Sequence, residues 1–457
     1  MTTPTATPTP GPDAAPACVT PAYFEALCTL LADEAGGAHC SLLLKAEASD
    51  FVRFNRGAVR QATQVQQAYA TLAVAADGRR IASTLSLSGR PDEDLARLRA
   101  EAAVLRTQLP ELPADPYLLL PPPATSHRHE TGQRPPVEAL VAQVARAAAG
   151  LDFVGFYAGG PVVRAYADNA GARHWHHVDT FHVDWCLYHA ADKAVKSAYA
   201  GATWSDEAFA ERVAEAARRL PLLARPPRVL PAGAYRAYFT PTAMVELLGT
   251  LGWSGFGLKA RRTGTSSLMR LAHQDAALHP ALQLHEDTAH GLAPAFTEDG
   301  FAKPARVPLV LDGRAADTLN SPRTAREYGV AANGANPEER PLSLDLAGGT
   351  LPEEEVLAAL DTGLYVSDLW YLNYSDRLAS RMTGMTRFAC FWVERGRLVE
   401  PLQVMRFDDA FLRMFGDGLL ALTDRPERIP DNSSYLERQL AGTTTPGALV
   451  EGWRLTL

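Results

Sequence analysis

Several short stretches near the start of the chain combine apolar and polar residues in the manner of β-strands. These stretches lie around residues 41–45, 65–75 and 81–86. A helix is predicted to begin at Pro91, and its apolar face consists of Leu95, Leu98, Ala102 and Leu105. The pattern therefore predicts a first unit in which strands precede one amphipathic helix.

The same mixture returns in the middle of the chain. A helix is predicted over 137–149, where Gly150 ends it, and strands are predicted near 153–157 and 162–166. A further helix begins after Ser205. This region reads as a second small unit of mixed helices and strands.

From Tyr235 onward, strands dominate the pattern. One helix interrupts them with Thr240 as its N-cap and Pro241 as its first residue. A second helix is predicted from a capping box formed by Thr350 and Glu353. The expected fold class is α+β, with an α/β N-terminal half of two small units and a sheet-rich, largely antiparallel C-terminal domain.

Clusters of proline indicate where these units are divided. The clusters lie at 121–136 and at 221–231, and a chain of 457 residues is long enough for two or three domains. The predicted division is a disordered tail over 1–20, an N-terminal α/β domain over 21–120, a middle α/β domain over 137–220 and a β-rich C-terminal domain over 229–457.

Composition narrows the classes of function. The chain is 47% hydrophobic and 21% charged, with a formal net charge of −8, as expected of a globular protein. A mildly acidic chain whose longest basic run is 259–262 should repel phosphate backbones, so direct binding of nucleic acid is not expected.

The cell compartment is inferred from the N-terminus and the cysteines. The first sixteen residues lack the basic and apolar regions of a signal peptide, and no apolar run approaches the roughly 18 residues of a membrane helix. The five cysteines show no CxxC spacing: Cys18, Cys28, Cys40, Cys186 and Cys390. An odd number of scattered cysteines favours free thiols and a cytoplasmic location.

The most particular stretch of the chain is 361–402. Its apolar run from Phe388, the turn Glu394-Arg395-Gly396 and a second apolar run to Leu402 predict a β-hairpin. Before the hairpin come the letters DTGLYVSDLW at 361–370 and a Thr-Gly pair at 383–384. Hairpin chemistry explains the turn, but it does not explain this order of motifs.

In that order, the stretch resembles the C-terminal region of the TldD/PmbA family, bacterial and archaeal proteins first described as modulators of DNA gyrase, and it is closer to the TldE (PmbA) branch. Weaker marks follow in family order, namely Thr297-Glu298-Asp299-Gly300, Asp312-Gly313 and the segment 321–325. Near the N-terminus, 52–59 and 77–84 look like the paired strands of the family.

The resemblance implies two alternatives for metal. TldD-type members are zinc peptidases with HExxxH on a helix and a downstream cysteine, and this chain has His285, Glu286 and His290 in that spacing, with Cys390 downstream. A self-sufficient zinc peptidase would use the two histidines and the cysteine as ligands and Glu286 as general base. The family pattern, however, puts its metal helix at 240–248, which contains no histidine.

Local physics also favours the absence of a metal site. His285 and His290 would be about 140° apart around a helix, and the residues between them are poor helix formers. The segment His285–His290 is therefore predicted to be a surface loop without metal, and Cys390 is predicted to be a buried structural thiol.

A second group of histidines is a weaker candidate for metal: His174, His176, His177, His182 and His189. Alternate residues of a strand share one face, so His174 and His176 point the same way. We expect a solvated or edge-strand face there, with metal ligation as the alternative. Trp370, Tyr371 and Tyr374 either line a cleft or belong to the core.

The resemblance implies a function as a metal-free TldE-like subunit, without a cofactor, that forms a heterodimer with a zinc-bearing TldD-type partner. The pair would hydrolyse extended peptides or unfolded polypeptides. One alternative is the self-sufficient zinc metallopeptidase, and another is a non-catalytic binding or scaffold protein. Neither nucleic acid nor a membrane is expected as a direct partner.

Overall fold

One seven-stranded sheet runs through the N-terminal half of the protein. The computed structural model describes residues 16–33, 37–191 and 193–456. The strands of this first sheet are β1 (His39–Asn55), β2 (Ala58–Ala76), β3 (Arg79–Ser86), β4 (Thr125–Glu130), β5 (Asp152–Asp168), β6 (Arg173–Ala190) and β7 (Lys193–Gly201). Their spatial order is β3-β2-β1-β5-β6-β4, with β7 also paired to β6. The sheet therefore crosses the expected boundary between the N-terminal and middle units.

The sheet is continuous because its central strands are unusually long. β5 is one strand where two were predicted, and it pairs with β1 on one side and β6 on the other. Gly160 makes this possible, because a Cβ atom there would lie 2.1 Å from the carbonyl oxygen of Ala48. With a φ of 146°, this position favours glycine for its backbone conformation as well.

Four helices cover one face of the first sheet. They are α1 (Pro21–Asp33), α2 (Pro91–Gln108), α3 (Val137–Ala147) and α4 (Asp206–Leu223). The predicted start of α2 and its apolar face are confirmed, since Leu98, Ala102 and Leu105 are buried. Ser205 caps α4 by accepting a hydrogen bond from the backbone N–H of Ala208.

Two of the proline-rich stretches are not free linkers. The first, 121–136, contains β4, which pairs in parallel with β6. The second begins inside α4, which continues through Pro221 to Leu223. Of the predicted tail, residues 1–15 lie outside the described residues, but Cys18 and Val19 in a 3-10 turn (Ala17–Val19) are part of the core.

Two further sheets build the C-terminal half. The second sheet contains β9 (Leu284–Asp287), β10 (Arg306–Leu311), β11 (Arg314–Ala315), β12 (Ser343–Leu346), β20 (Glu427–Pro430) and β21 (Gly442–Thr445). The third sheet contains β8 (Gly233–Phe239), β13 (Gly363–Val366), β14 (Leu369–Asp376), β15 (Arg381–Thr386), β16 (Phe391–Glu394), β17 (Arg397–Pro401), β18 (Arg406–Ala410), β19 (Leu419–Leu422) and β22 (Ala448–Leu455). Apart from the parallel pairs β12–β21 and β8–β13, the strand pairs of these sheets are antiparallel. The α+β class with a largely antiparallel C-terminal domain is confirmed.

Short helices connect these strands around the largest hydrophobic core of the protein. They are α5 (Pro241–Gly252), α6 (Leu258–Arg262), α7 (Met269–Ala272), α8 (Pro322–Tyr328), α9 (Val356–Leu360) and α10 (Phe411–Met414). Among the described residues, no helix has the length and apolar character needed to cross a membrane.

The helix caps and the hairpin predicted in the C-terminal half are partly confirmed. Thr240 caps α5 as predicted, and the β16–β17 hairpin turns through Arg395 and Gly396, both with positive φ. The predicted capping box at Thr350 and Glu353 is wrong. A 3-10 turn lies there, and the carboxylate of Asp424 accepts the backbone N–H of Glu353 instead.

The C-terminal half covers the second face of the first sheet. Leu440 packs against Val162 and Val178 on that face. Beside it, the buried guanidinium of Arg438 donates hydrogen bonds to the carbonyl oxygens of Gly160 and Thr180. Each half of the protein therefore completes the burial of the other.

We predict that Arg438→Ala lowers the free energy of unfolding by about 2–4 kcal/mol, because it leaves buried carbonyl groups without donors. Denaturant titration would measure the change. The exposed Arg428 supplies a matched control, since Arg428→Ala should stay within about 0.5 kcal/mol of the parent chain. Equal stability of the two variants would contradict this role for Arg438.

Candidate functional site

A cleft lies where the second face of the first sheet is not covered by the C-terminal half. Strand register places Arg53, Phe156 and Asp184 side by side on this face. The neighbouring row contains Cys186 and its cross-strand partner Lys196. These side chains form the floor of a cavity of about 540 Å³.

The C-terminal half supplies the opposite wall. Asp368 and Trp370 come from the β13–β14 connection and the start of β14, Arg387 and Phe388 from the β15–β16 connection, and Glu246 from α5. Phe388 has a φ of 56°, a conformation that is strained for a bulky aromatic residue. Strained backbone of this kind is concentrated at binding and catalytic sites.

An ion pair between Lys196 and Asp368 joins the floor to the wall. The Lys196 Nζ atom lies 3.0 Å from the Asp368 Oδ2 atom, and Asp368 is only 2% exposed. Burial raises the pKa of the Asp368 carboxyl, and the nearby Lys196 partly offsets that rise. Burial opposes the charge of Lys196, but Asp368 outweighs it and raises the pKa of the ammonium group.

Two further carboxyls face the same ammonium group. Burial raises the pKa of Glu246, and the charge of Asp368 adds to the rise. Burial also raises the pKa of Asp184, against the opposing effects of a hydrogen bond from Asn432 and of Lys196. A cleft that contains several carboxyls with raised pKa values and one lysine can bind charged ligands and exchange protons with them.

The segment His285–His290 was predicted to be a surface loop, and this prediction is wrong. His285 and Glu286 belong to β9, which lies between β10 and β12 in the second sheet, and both are buried. Neighbouring residues of a strand point to opposite faces, so these two side chains diverge. His290 follows in a turn, where its ring lies 3.1 Å from the Asp287 carboxylate and is 81% exposed.

Glu286 is committed to structural contacts. Its carboxylate accepts the backbone N–H groups of Leu342 and Ser343, and the Lys303 ammonium lies 3.9 Å away. A carboxylate whose oxygens accept backbone N–H groups in this way is not placed to act as a general base. Within the described residues, no group of three or more His, Cys, Asp or Glu side chains is arranged to hold a metal. The residues named by the motif do not fit a zinc site.

Cys390 is a buried thiol, as predicted. Its Sγ atom donates to the carbonyl oxygens of Arg387 and Asp368, at 3.2 and 3.7 Å. Burial raises the pKa of this thiol, which opposes the thiolate form that a metal ligand requires. All five cysteines are free.

The expectation of a solvated or edge strand for the histidines was wrong. β6 is an interior strand, and four of its five histidines are buried, namely His174, His176, His177 and His182, whereas the fifth, His189, is exposed. Three of the four, all but His177, lie on the face that the C-terminal half covers.

Contacts with the C-terminal half account for their burial. His174 stacks on Phe296 at 4.8 Å, and the ring of His176 bonds to the carbonyl oxygen of Leu292. Burial lowers the pKa of His176 to about 3, so it is neutral at physiological pH. These histidines serve packing between the two halves.

Sequence reasoning missed most residues of the cleft. Lys196, Glu246 and Asp368 are distant in sequence, and no short motif contains them. Asp368 was within reach, because it lies in the DTGLYVSDLW stretch whose order could not be explained by hairpin chemistry. Of the three aromatic residues, Trp370 lines the cleft and is half exposed.

Known proteins with this architecture were found by comparison. The family model described as the PmbA/TldA metallopeptidase C-terminal domain matches residues 232–456. The C-terminal half is thus a metallopeptidase-related domain. Residues 232–456 therefore belong to the TldD/PmbA family. The search of curated proteins found no match.

Solved structures share the fold over nearly the whole chain. TldE from Thermococcus kodakarensis superposes with a TM-score of 0.76 at 12% identity, covering 95% of this chain and 100% of that one. A protein from Thermotoga maritima, described as a candidate modulator of a DNA gyrase, gives 0.73 at 16% identity over 95% and 99% of the two chains. A similarly described protein from Bacteroides thetaiotaomicron gives 0.72 at 14% over 96% and 99%. At these identities the likeness establishes the fold.

We predict that Glu246→Gln stabilises the protein increasingly as the pH rises. A carboxyl whose pKa is raised by folding binds its proton more tightly in the folded state, so stability is lost as pH rises through its titration. Glutamine has no such loss. Melting temperatures from about pH 4 to about pH 8 would therefore diverge between variant and parent.

The control is Glu327→Gln on the exposed surface of α8, which should run parallel to the parent chain. A constant difference between Glu246→Gln and the parent across this range would refute the burial effect on Glu246.

Proposed function

We propose that this protein is a TldE-like, metal-free subunit that pairs with a zinc-bearing TldD-type partner and assists the hydrolysis of extended peptides. The observation that carries the proposal is the character of α5. The resemblance puts the metal helix of catalytic members at this element, but α5 contains no histidine or cysteine. Its residue in the cleft is Glu246.

The floor of the cleft supports the same reading. Where a catalytic subunit would need neutral imidazole ligands, this chain has the Lys196 ammonium in an ion pair with Asp368. A fixed positive charge repels a divalent cation, and it neutralises a carboxylate that could otherwise bind one. The cleft is better suited to holding a polar or charged part of a ligand.

Pairing with a partner is the second part of the proposal. Among the described residues, the lining of the cleft includes no histidine, which is compatible with another subunit that supplies the metal-bound water. The free cysteines are compatible with a heterodimer in the cytoplasm. The alternative of a self-sufficient zinc peptidase is disfavoured, because His285, Glu286 and His290 diverge in β9 and the turn after it.

We predict that the purified chain contains no stoichiometric zinc and hydrolyses no unstructured peptide until a zinc-bearing TldD-type subunit is added. Elemental analysis and a peptide cleavage assay would measure the two quantities. His285→Ala/His290→Ala should leave both results unchanged, because neither imidazole holds a metal.

Exposed histidines supply the control, as the double variant His189→Ala/His273→Ala removes two imidazoles elsewhere. Stoichiometric zinc that disappears only in His285→Ala/His290→Ala would make the chain a peptidase in its own right. A stable monomer that binds no TldD-type subunit would rule out the heterodimer.

A further inference from the structure

Three arginines at the cleft form no ion pair within 4 Å among the described residues: Arg53, Arg60 and Arg387. Two of them are held by aromatic rings. The Arg387 guanidinium lies 4.3 Å from the ring centre of Trp370 and 4.7 Å from that of Phe388. That of Arg53 lies 5.5 Å from the ring centre of Phe156. Stacking uses the flat face of a guanidinium and leaves its N–H groups free for a ligand.

A β-bulge determines the direction of the third arginine, Arg60. Phe54 pairs with Val59 and Arg53 pairs with Gln61, so Arg60 is an extra residue in a β-bulge. A bulge bends its strand and re-aims a side chain, and bulges are frequent beside functional sites. Here the bulged residue lines the cleft.

The charge of the cleft is opposite to that of the chain. The three arginines and Lys196 outnumber the carboxylates of Asp184, Glu246 and Asp368, although the whole chain has a net charge of −8. The ion pair cancels Lys196 against Asp368, which leaves three arginines against two carboxylates. A local positive site on an acidic protein attracts anionic groups and guides them to one place. Planar guanidinium groups recognise carboxylates and phosphates by paired hydrogen bonds.

The strand that contains Arg60 has a free edge, which favours a peptide over a small anion as the ligand of the cleft. β3 pairs only with residues 69–76 of β2, so residues 58–66 of β2 form an exposed and unpaired edge. An unpaired edge presents backbone N–H and C=O groups that an extended peptide can bind as an added strand. The edge and the arginines are adjacent, because Arg60 belongs to both.

We propose that this cleft binds an extended peptide through an acidic group, which Arg60 and Arg387 hold while the peptide backbone pairs with the free edge of β2. The choice of a peptide as ligand rests on the proposed function. The acidic group is either a side-chain carboxylate or the terminal carboxylate of the peptide. A subunit without metal thereby selects and anchors acidic peptides.

Fluorescence anisotropy of the isolated full-length chain with labelled peptides tests this proposal. The probes are an unstructured peptide rich in glutamate and its glutamine counterpart, each with a free or an amidated C-terminus, and inorganic phosphate is the competitor. We expect the glutamate peptide to bind at least about tenfold more tightly than the amidated glutamine peptide, the factor of one charge-assisted hydrogen bond. Dependence on the C-terminus alone would identify the terminal carboxylate as the bound group.

Variants test the named residues. Arg60→Gln/Arg387→Gln should abolish the preference for acid, and Arg60→Lys should reduce it, because lysine keeps the charge but loses the paired donors. Arg56→Gln is the matched control, since Arg56 lies in the same hairpin and outside the cleft. It should retain the full preference.

Binding of the amidated glutamine peptide as tight as that of the glutamate peptide with a free C-terminus would overturn the proposal. So would equal loss in the control variant, or displacement by phosphate as effective as by the acidic peptide. Failure of this inference can be distinguished from failure of the proposed function, because peptide binding is measured without a partner subunit. An acidic preference in a chain that never assembles with a TldD-type subunit would refute the pairing alone. Assembly without an acidic preference would refute this inference alone.

Discussion

The architecture depends on the contact between the C-terminal half and the second face of the first sheet. Helices α1–α4 cover the other face of that sheet, so without this contact a long face with several histidines would stay in water. The contact is made by specific polar groups as well as by packing. Arg438 reaches across it to bond with carbonyl oxygens of β5 and β6, and Leu440 fills the space beside it. The cleft is the part of the same face that the contact leaves uncovered, which is why its floor and its wall come from different halves of the chain.

This origin of the cleft explains how far the sequence could be interpreted. Periodicity identified the amphipathic face of α2 and the start of α5, and the apolar runs around a glycine turn identified the β16–β17 hairpin, because each of these signals is local. The order of motifs near the C-terminus indicated the correct family. What failed depended on neighbours from distant parts of the chain. The histidines of β6 were expected in solvent because a strand's own sequence does not say that a second domain covers it. Likewise, β9 was taken for a loop, although its flanking strands β10 and β12 determine its structure.

The candidate site was hidden for the same reason. Lys196, Glu246 and Asp368 belong to a strand, a helix and a strand connection from separate regions, and only the docking of the two halves brings them together. The HExxxH letters, by contrast, formed a compact motif and carried no site. A motif supplies chemistry only if its secondary structure directs the side chains to one point. Here His285 and Glu286 are neighbours in β9, so their side chains point to opposite faces of the sheet. Backbone N–H groups also bind the carboxylate of the glutamate. An HExxxH motif on α5 could have placed its side chains in the cleft, because that helix lines it with Glu246.

The composition of the face that carries His174, His176 and His182 also bears on the order of folding during synthesis. The helices that cover the apolar face of the first sheet are close to its strands in sequence, so that face can be buried as soon as roughly the first half of the chain has left the ribosome. The opposite face must wait for residues near 438, close to the end of the chain. Its histidines and arginines are soluble in water during that delay, whereas a face of valine and leucine would invite aggregation. Polar residues that are buried in the folded protein thus limit aggregation while the chain is being synthesised.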